Sequence, residues 1–389
     1  MRTAPFGIGF VLALAAGGAA VSAQIPDHTV ATGIRGAYQV AAADLNRDGR
    51  PDLIALSSQA SELVWYENPD WTRHVITTEA SRMINLDTAD MDGDGIPEIG
   101  LAYGFSVNPA QSAGTIAVLR HDGDPREPWV LTEIDALPSS HRVRWADIDG
   151  SGRKVLVDAP ILNAGAAGFA DPDRLPTPLV YYRPDGWARE TITLENVGVV
   201  HGLLIRDWNG DGREEVTSAG RLGVFVHEYG RDGRWARRQV AKGVEAPYPD
   251  GGSSDLGAGT LGDRPFFTAI EPFHGNQVVV YRQGSAGDWQ RLVIDTELEN
   301  GHSMVVGDLD GDGRSDIVAG GTRGDKVIYL YRATDESGDR WERTVLDDEL
   351  GANSCAVADI NGDGTDDVAC IDNRDPWSLK WYDVAGEAR

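Results

Sequence analysis

Basic residues are scarce in this chain: 35 Lys and Arg stand against 61 Asp and Glu, a formal charge of −26. No basic stripe exists to neutralise phosphates, which excludes a nucleic-acid partner, and an acidic surface also suits anionic membranes poorly. Cysteine is rarer still. Cys355 and Cys370 are too few for a disulfide framework. They flank one acidic loop at nearly symmetric offsets, so a cross-strand bridge in an oxidising compartment and two buried thiols both fit. Long apolar runs are limited to Ile8–Ala20, which follows Arg2 and ends at Val21-Ser22-Ala23. That is the pattern of a secretory signal peptide cleaved after Ala23, and the run is short of the roughly 20 residues a bilayer span needs. Residues 1–23 are therefore expected to be a signal peptide, and residues 24–389 a secreted or periplasmic chain without a membrane span. Amphipathic helical stretches are missing as well, which leaves an all-β fold.

What is present is a repeat. Acidic loops begin at Asp44, Asp90, Asp147, Asp207, Asp308 and Asp359, spaced by 46, 57, 60, 101 and 51 residues. The interval of 101 holds two units. The extra one has lost its loop but keeps Phe266-Phe267-Thr268-Ala269-Ile270 and Gln277-Val278-Val279-Val280-Tyr281-Arg282. Each unit reads as four short strands, rich in β-branched and aromatic residues and punctuated by turn residues. The last strand recurs as a Trp-x-Arg pattern, as in Trp71-Thr72-Arg73, Trp289-Gln290-Arg291 and Trp341-Glu342-Arg343. Seven units of about 50 residues predict a seven-bladed β-propeller of four-stranded blades over residues 24–389. The tryptophans read as packing between blades. The seventh unit lacks its outer strand, and His28-Thr29-Val30-Ala31-Thr32 matches it. An N-terminal strand donated to the last blade would close the ring and remove its open edges.

Five loops follow Asp-x-[Asp/Asn]-x-Asp-Gly-x-x-[Asp/Glu]. Their ligand positions are Asp44, Asn46, Asp48 and Asp52; Asp90, Asp92, Asp94 and Glu98; Asp207, Asn209, Asp211 and Glu215; Asp308, Asp310, Asp312 and Asp316; and Asp359, Asn361, Asp363 and Asp367. Alternate acidic side chains before a glycine-permitted turn gather oxygens around one hard cation, which predicts about five structural Ca²⁺ sites. The final acid at position nine distinguishes these loops from an EF-hand. In the third unit Val155 replaces that acid, so weak or no binding is expected there. The loops resemble the FG-GAP, or VCBS, repeat family, whose resemblance covers essentially the whole mature chain and implies that each loop joins the first two strands of a blade.

Function is carried by a second register. His141, His201 and His302 each lie six residues before the loop aspartate of their unit, at the start of the innermost strand. Tyr38, Ile84 and Asn353 hold that place elsewhere, and His274 lies in the turn between the second and third strands of the fifth unit. Half of the eight histidines thus face one arc of the channel, opposite the acidic loops. Neutral imidazoles suit Zn²⁺ or another divalent transition metal. The expectation is a metal on His141, His201 and His302, with His274, Glu271 and Tyr38 as catalytic groups.

The stretch Glu271-Pro272-Phe273-His274-Gly275-Asn276-Gln277 resembles the propeller domain of the aldos-2-ulose dehydratase family, as does Glu299-Asn300-Gly301-His302. The resemblance implies a metal-assisted carbon–oxygen lyase that eliminates water from a keto-sugar such as 1,5-anhydrofructose. A cupin-like domain that follows the propeller in that family has no counterpart within these residues. Two other classes remain open from the residues. One is a propeller polysaccharide lyase using His, Tyr38, Arg82, Arg142 and Arg144 on a uronate polymer. The other is a non-catalytic carbohydrate- or protein-binding propeller. A monomer is expected, since a closed ring leaves no strand edge to pair.

Overall fold

The computed structural model describes residues 25–284 and 288–388; the expected signal peptide, residues 1–23, lies outside them. Seven antiparallel sheets of four strands follow one another along the chain. Their innermost strands are Ala37–Ala43, Asn85–Ala89, Ser140–Ala146, Val200–Arg206, Leu256–Leu261, Gly301–Gly307 and Ser354–Ala358. Each touches the next around a central channel, and the last touches the first. This is the expected seven-bladed propeller.

Sequence pattern follows position in the blade. The second strands Asp52–Ser57, Glu98–Tyr103, Val155–Pro160, Glu215–Gly220 and Asp316–Gly321 are buried at every residue. Each is sandwiched between neighbouring blades, so both of its faces are interior and the sequence is almost continuously apolar rather than alternating. Outer strands such as Trp341–Asp347 have exposed residues. Their leading tryptophans pack across the seams: Trp341 lies 5.7 Å from Phe266 and Trp235 5.7 Å from Tyr181, centroid to centroid.

Three seams carry the same polar lock. An Asp near the end of one outer strand accepts hydrogen bonds from a Tyr and a cation of the next blade. Asp135 accepts from Tyr182 (2.9 Å) and Arg189 (2.5 Å), and Asp295 from Tyr331 (2.7 Å) and Arg343 (3.0 Å). Asp347 accepts from Tyr382 (2.8 Å) and Lys380 (2.9 Å).

The ring closes as the sequence predicts. Strand Asp27–Ala31 pairs antiparallel with Leu379–Tyr382 and completes the seventh sheet. His28 stacks on Trp381 at 4.2 Å, and Lys380 bridges Asp27 and Asp347 at 2.9 Å each. Cys355 and Cys370 are paired opposite each other on adjacent strands and form a disulfide, which selects between the two readings of these residues. Blade five turns directly from its first strand to its second, with Leu261 opposite Arg264. It has no acidic loop.

Candidate active site at the channel mouth

The starts of the innermost strands and the turns between second and third strands lie on one face. That face gathers Tyr38 and four histidines. His274 reaches the channel because the turn after Arg264–Glu271 doubles back tightly. A Cβ on Gly275 would lie 2.3 Å from the Glu271 carbonyl oxygen, so this turn requires glycine. The His274 ring stacks on Phe273 at 4.2 Å and packs edge-on against His201 (4.9 Å) and His302 (5.0 Å).

Hydrogen bonds at the far side of two rings aim the near nitrogens inward. His302 Nδ1 donates to the Asn353 carbonyl at 2.7 Å, leaving its Nε2 lone pair facing the channel. His201 Nδ1 lies 3.2 Å from Ser254 Oγ, and its Nε2 lies 3.3 Å from His274 Nε2. Ring nitrogens of His201, His274 and His302 fall within 4.8 Å of one another. Tyr38 Oη sits 3.4 Å from Nε2 of both His141 and His302. The converging trio is therefore His201, His274 and His302, with His141 beside Tyr38. The sequence had suggested His141, His201 and His302, because the reach of the blade-five turn is invisible in strand register.

The mouth favours neutral imidazole. Burial, then the Arg142 guanidinium, holds His141 and His201 well below the ordinary histidine range. Burial followed by His274 and Arg142 does so for His302. His274 is pushed down to about 4 by burial, Arg142, Arg323 and Arg221. Burial raises the Tyr38 phenol, while Arg142, which hydrogen-bonds it, opposes that shift. His141 Nδ1 is buried without a hydrogen-bond partner. Although the whole chain is acidic, its mouth is lined by cations and aromatics: Arg221 lies 4.5 Å from the Phe273 ring, and Phe105 packs 5.4 Å from His141. Below it the channel narrows to a polar cavity of about 100 Å³ between Arg142, Arg144, Asp255 and Asn85.

Glu271 does not join this group. Its fully buried carboxylate accepts from Ser253 (2.8 Å), Tyr281 (2.6 Å) and Arg291 (2.7 Å), and no hydrogen bond links it to the four histidines. It anchors blade five; the strand pleat turns it away from the turn that carries His274. Arg82 donates to the Gln111 carbonyl, and Arg144 to Asn85 within the channel. Sequence reasoning missed Ser254 and Phe273, whose only signal is adjacency to blade five's first strand and to His274.

On the opposite face, three of the five acidic loops bring their carboxylate oxygens together, and the Asp44 and Asp359 loops are not among these groups. Oxygens of Asp90, Asp92 and Asp94, of Asp207, Asp211 and Glu215, and of Asp308, Asp310 and Asp312 each converge within 4.8 Å. In the sixth blade Asp308 Oδ1 and Asp316 Oδ2 are buried without partners. An all-oxygen donor set with orphaned carboxylate atoms is what a hard cation satisfies. In the third blade Lys154 Nζ reaches Glu214 at 3.4 Å and Arg183 reaches Asp149 at 3.6 Å, so side-chain cations accompany that loop.

The fold is a seven-bladed β-propeller, and residues 44–101 and 308–370 match the FG-GAP-like repeat. More particularly, residues 113–285 match the β-propeller domain of aldos-2-ulose dehydratase, and the chain is similar to the aldos-2-ulose dehydratase of Phanerodontia chrysosporium. The identity is 25% over 325 residues, covering 73% of this chain and 35% of that protein. The chain thus spans about a third of that relative's length. Among solved structures, BBS1N in complex with ARL6DN superposes with a TM-score of 0.56 at 12% identity, over 92% of this chain and 96% of that one. A chain of the Mitotic Checkpoint Complex gives 0.56 at 9%, over 98% of each. These two likenesses are of fold alone.

Proposed function

We propose that this protein is a secreted or periplasmic carbon–oxygen lyase that removes water from a keto-sugar or related carbohydrate at the channel mouth. The observation that carries the reading is the convergence of His201, His274 and His302 beside the Tyr38–His141 pair. Similarity to a dehydratase propeller supports the same reaction class.

His201, His274 and His302 would hold one divalent ion, their neutral rings and inward nitrogens being suited to it. Such an ion, when bound, supplies Lewis acidity toward a carbonyl oxygen. His141, neutral and next to Tyr38, takes the proton from the carbon α to that carbonyl. The Arg142 guanidinium favours the negative charge that develops. Tyr38, held as a neutral phenol by burial, gives its proton to the departing hydroxyl, which leaves as water as the carbon–carbon double bond forms. The proton on His141 then returns to Tyr38 across their 3.4 Å contact, restoring both groups.

The calcium loops have a separate, structural part in this proposal. About five Ca²⁺ ions would offset carboxylate repulsion on the far face.

Incubation with 1,5-anhydrofructose and, separately, with uronate polymers, while following absorbance of an unsaturated product, tests the function. Absorbance from the keto-sugar alone supports it. Turnover of the polymer alone would favour a polysaccharide lyase, and silence with both would favour a binding propeller. His201→Ala should lose bound metal and activity together, whereas His141→Ala and Tyr38→Phe should keep the metal and lose turnover. Equal metal loss in all three would return His141 to the ligand set.

A further inference from the structure

Blade five differs from its neighbours in more than its missing loop. The residue after the first loop aspartate is Leu45, Met91, Ile148, Leu309 or Ile360 in the other units; in blade four it is Trp208. Leu45, Ile148, Leu309 and Ile360 are almost wholly buried, each sealing its own seam. Trp208 remains partly exposed, because blade five turns at Leu261–Arg264 without the loop that elsewhere crosses the seam. The seam between blades four and five is left with a cavity of about 380 Å³. That lies within the size range of small-molecule sites.

The walls of this cavity are aromatic. Trp208 and Trp289 meet edge to face at 5.6 Å, and Phe267, fully buried, forms the floor 4.8 Å from Trp289. The Trp208 ring is fixed, since its Nε1 donates to Thr217 Oγ1 at 2.9 Å and Arg206 lies 5.1 Å from its centroid. The rim is polar: Glu228 and Arg238 line it and are exposed. Flat, immobilised aromatic faces beneath hydrogen-bonding side chains of both signs complement a molecule with an apolar face and a hydroxyl edge. A pyranose ring has this form, with C–H bonds on its face and hydroxyls at its edge. Aromatic side chains supply such contact area at low entropic cost. Asn209 and Glu215 of the fourth acidic loop also line the cavity, so it lies toward that face and away from the histidines.

We propose that this seam is an accessory carbohydrate-binding site that seats one pyranose unit against Trp208 and Trp289. It is distinct from the channel mouth and stands whether or not the mouth is a dehydratase. A weak site of this kind would hold the protein on a glycan while the mouth stays free.

Saturation-transfer NMR with methyl glucosides, cello-oligosaccharides and malto-oligosaccharides tests it on the whole protein. Transfer to at least one probe is expected, reduced at least fivefold in Trp208→Leu, which installs the residue of blades one and six. His201→Ala should leave the transfer intact. No transfer to any probe, undiminished transfer in Trp208→Leu, or transfer lost in His201→Ala would each overturn the proposal. Should Trp208→Leu fail to fold by circular dichroism, Glu228→Ala on the exposed rim decides by the same fivefold criterion.

Discussion

Asp347 sits where three parts of the chain meet. It ends the outer strand of blade six, accepts from Tyr382 and Lys380 of blade seven, and through Lys380 connects to Asp27 of the closing strand. Its side chain is 6% exposed and that of Tyr382 is fully buried. Asp347→Ala would leave a buried phenol without an acceptor and Lys380 with one partner instead of two. Removing one member of a buried ion pair costs about 3–5 kcal/mol. For roughly 365 residues, an unfolding entropy of about 2.1 cal/mol/K per residue gives about 0.8 kcal/mol/K, so Tm should fall by about 4–6 °C. Scanning calorimetry at pH 7 reads this directly. In a double-mutant cycle, Tyr382→Phe in the Asp347→Ala background should cost far less than in the native protein. The lock holds Asp347 below the usual carboxylate range, with burial opposing it. Its contribution is therefore complete above about pH 4 and fades as pH falls further. A Tm within 1 °C of native, or additive losses in the cycle, would refute the idea that these locks hold the seams.

Chelation with EDTA should lower Tm by several degrees, recovered by Ca²⁺ and not by Mg²⁺; an unchanged scan would remove the calcium proposal. Replacing both Cys355 and Cys370 by Ala should cost about 3 kcal/mol, given a sequence separation of 15, measured by urea unfolding; equal midpoints would show the bridge to be dispensable. Asp158, fully buried with only Ser140 beside one oxygen at 2.7 Å, has its pKa pushed up to about 7 by burial. The folded state therefore holds this proton more tightly than the unfolded chain, and stability falls as pH rises from about 4 to 7. Asp158→Asn should gain about 2–4 kcal/mol at pH 8 and nothing at pH 4; equal effects at both would show that the carboxylate charge is not the cause.

Features that repeat were legible in the chain before any coordinates. The loop spacing gave the blade count, the missing outer strand of unit seven pointed to His28–Thr32, and a shared offset from the loop aspartates aligned His141, His201 and His302. Features that depend on a single local bend were not. Whether His274 joins His201 and His302 is decided by how far one tight turn leans over the channel, and period-two patterning carries no such distance. Glu271 failed for a related reason: three residues from His274 along the chain, it sits at the end of a strand whose pleat sends it to Arg291. The cysteines stayed ambiguous until their strands were seen to be directly paired.

The Tyr38–His302 contact joins residues 264 apart in sequence, and Tyr38–His141 joins residues 103 apart. No fragment of two or three neighbouring blades contains the whole mouth. Its groups come from blades one, three, four, five and six, and can be in register only after blade one has met blade seven. On the proposed function, catalytic competence would therefore be the final event of folding, arriving with the least local contacts. A stalled or partly closed chain would carry the same histidines at separations too great to share a metal or pass a proton. In refolding experiments, activity should lag behind the recovery of β-sheet signal, and the lag would time the closing of the ring.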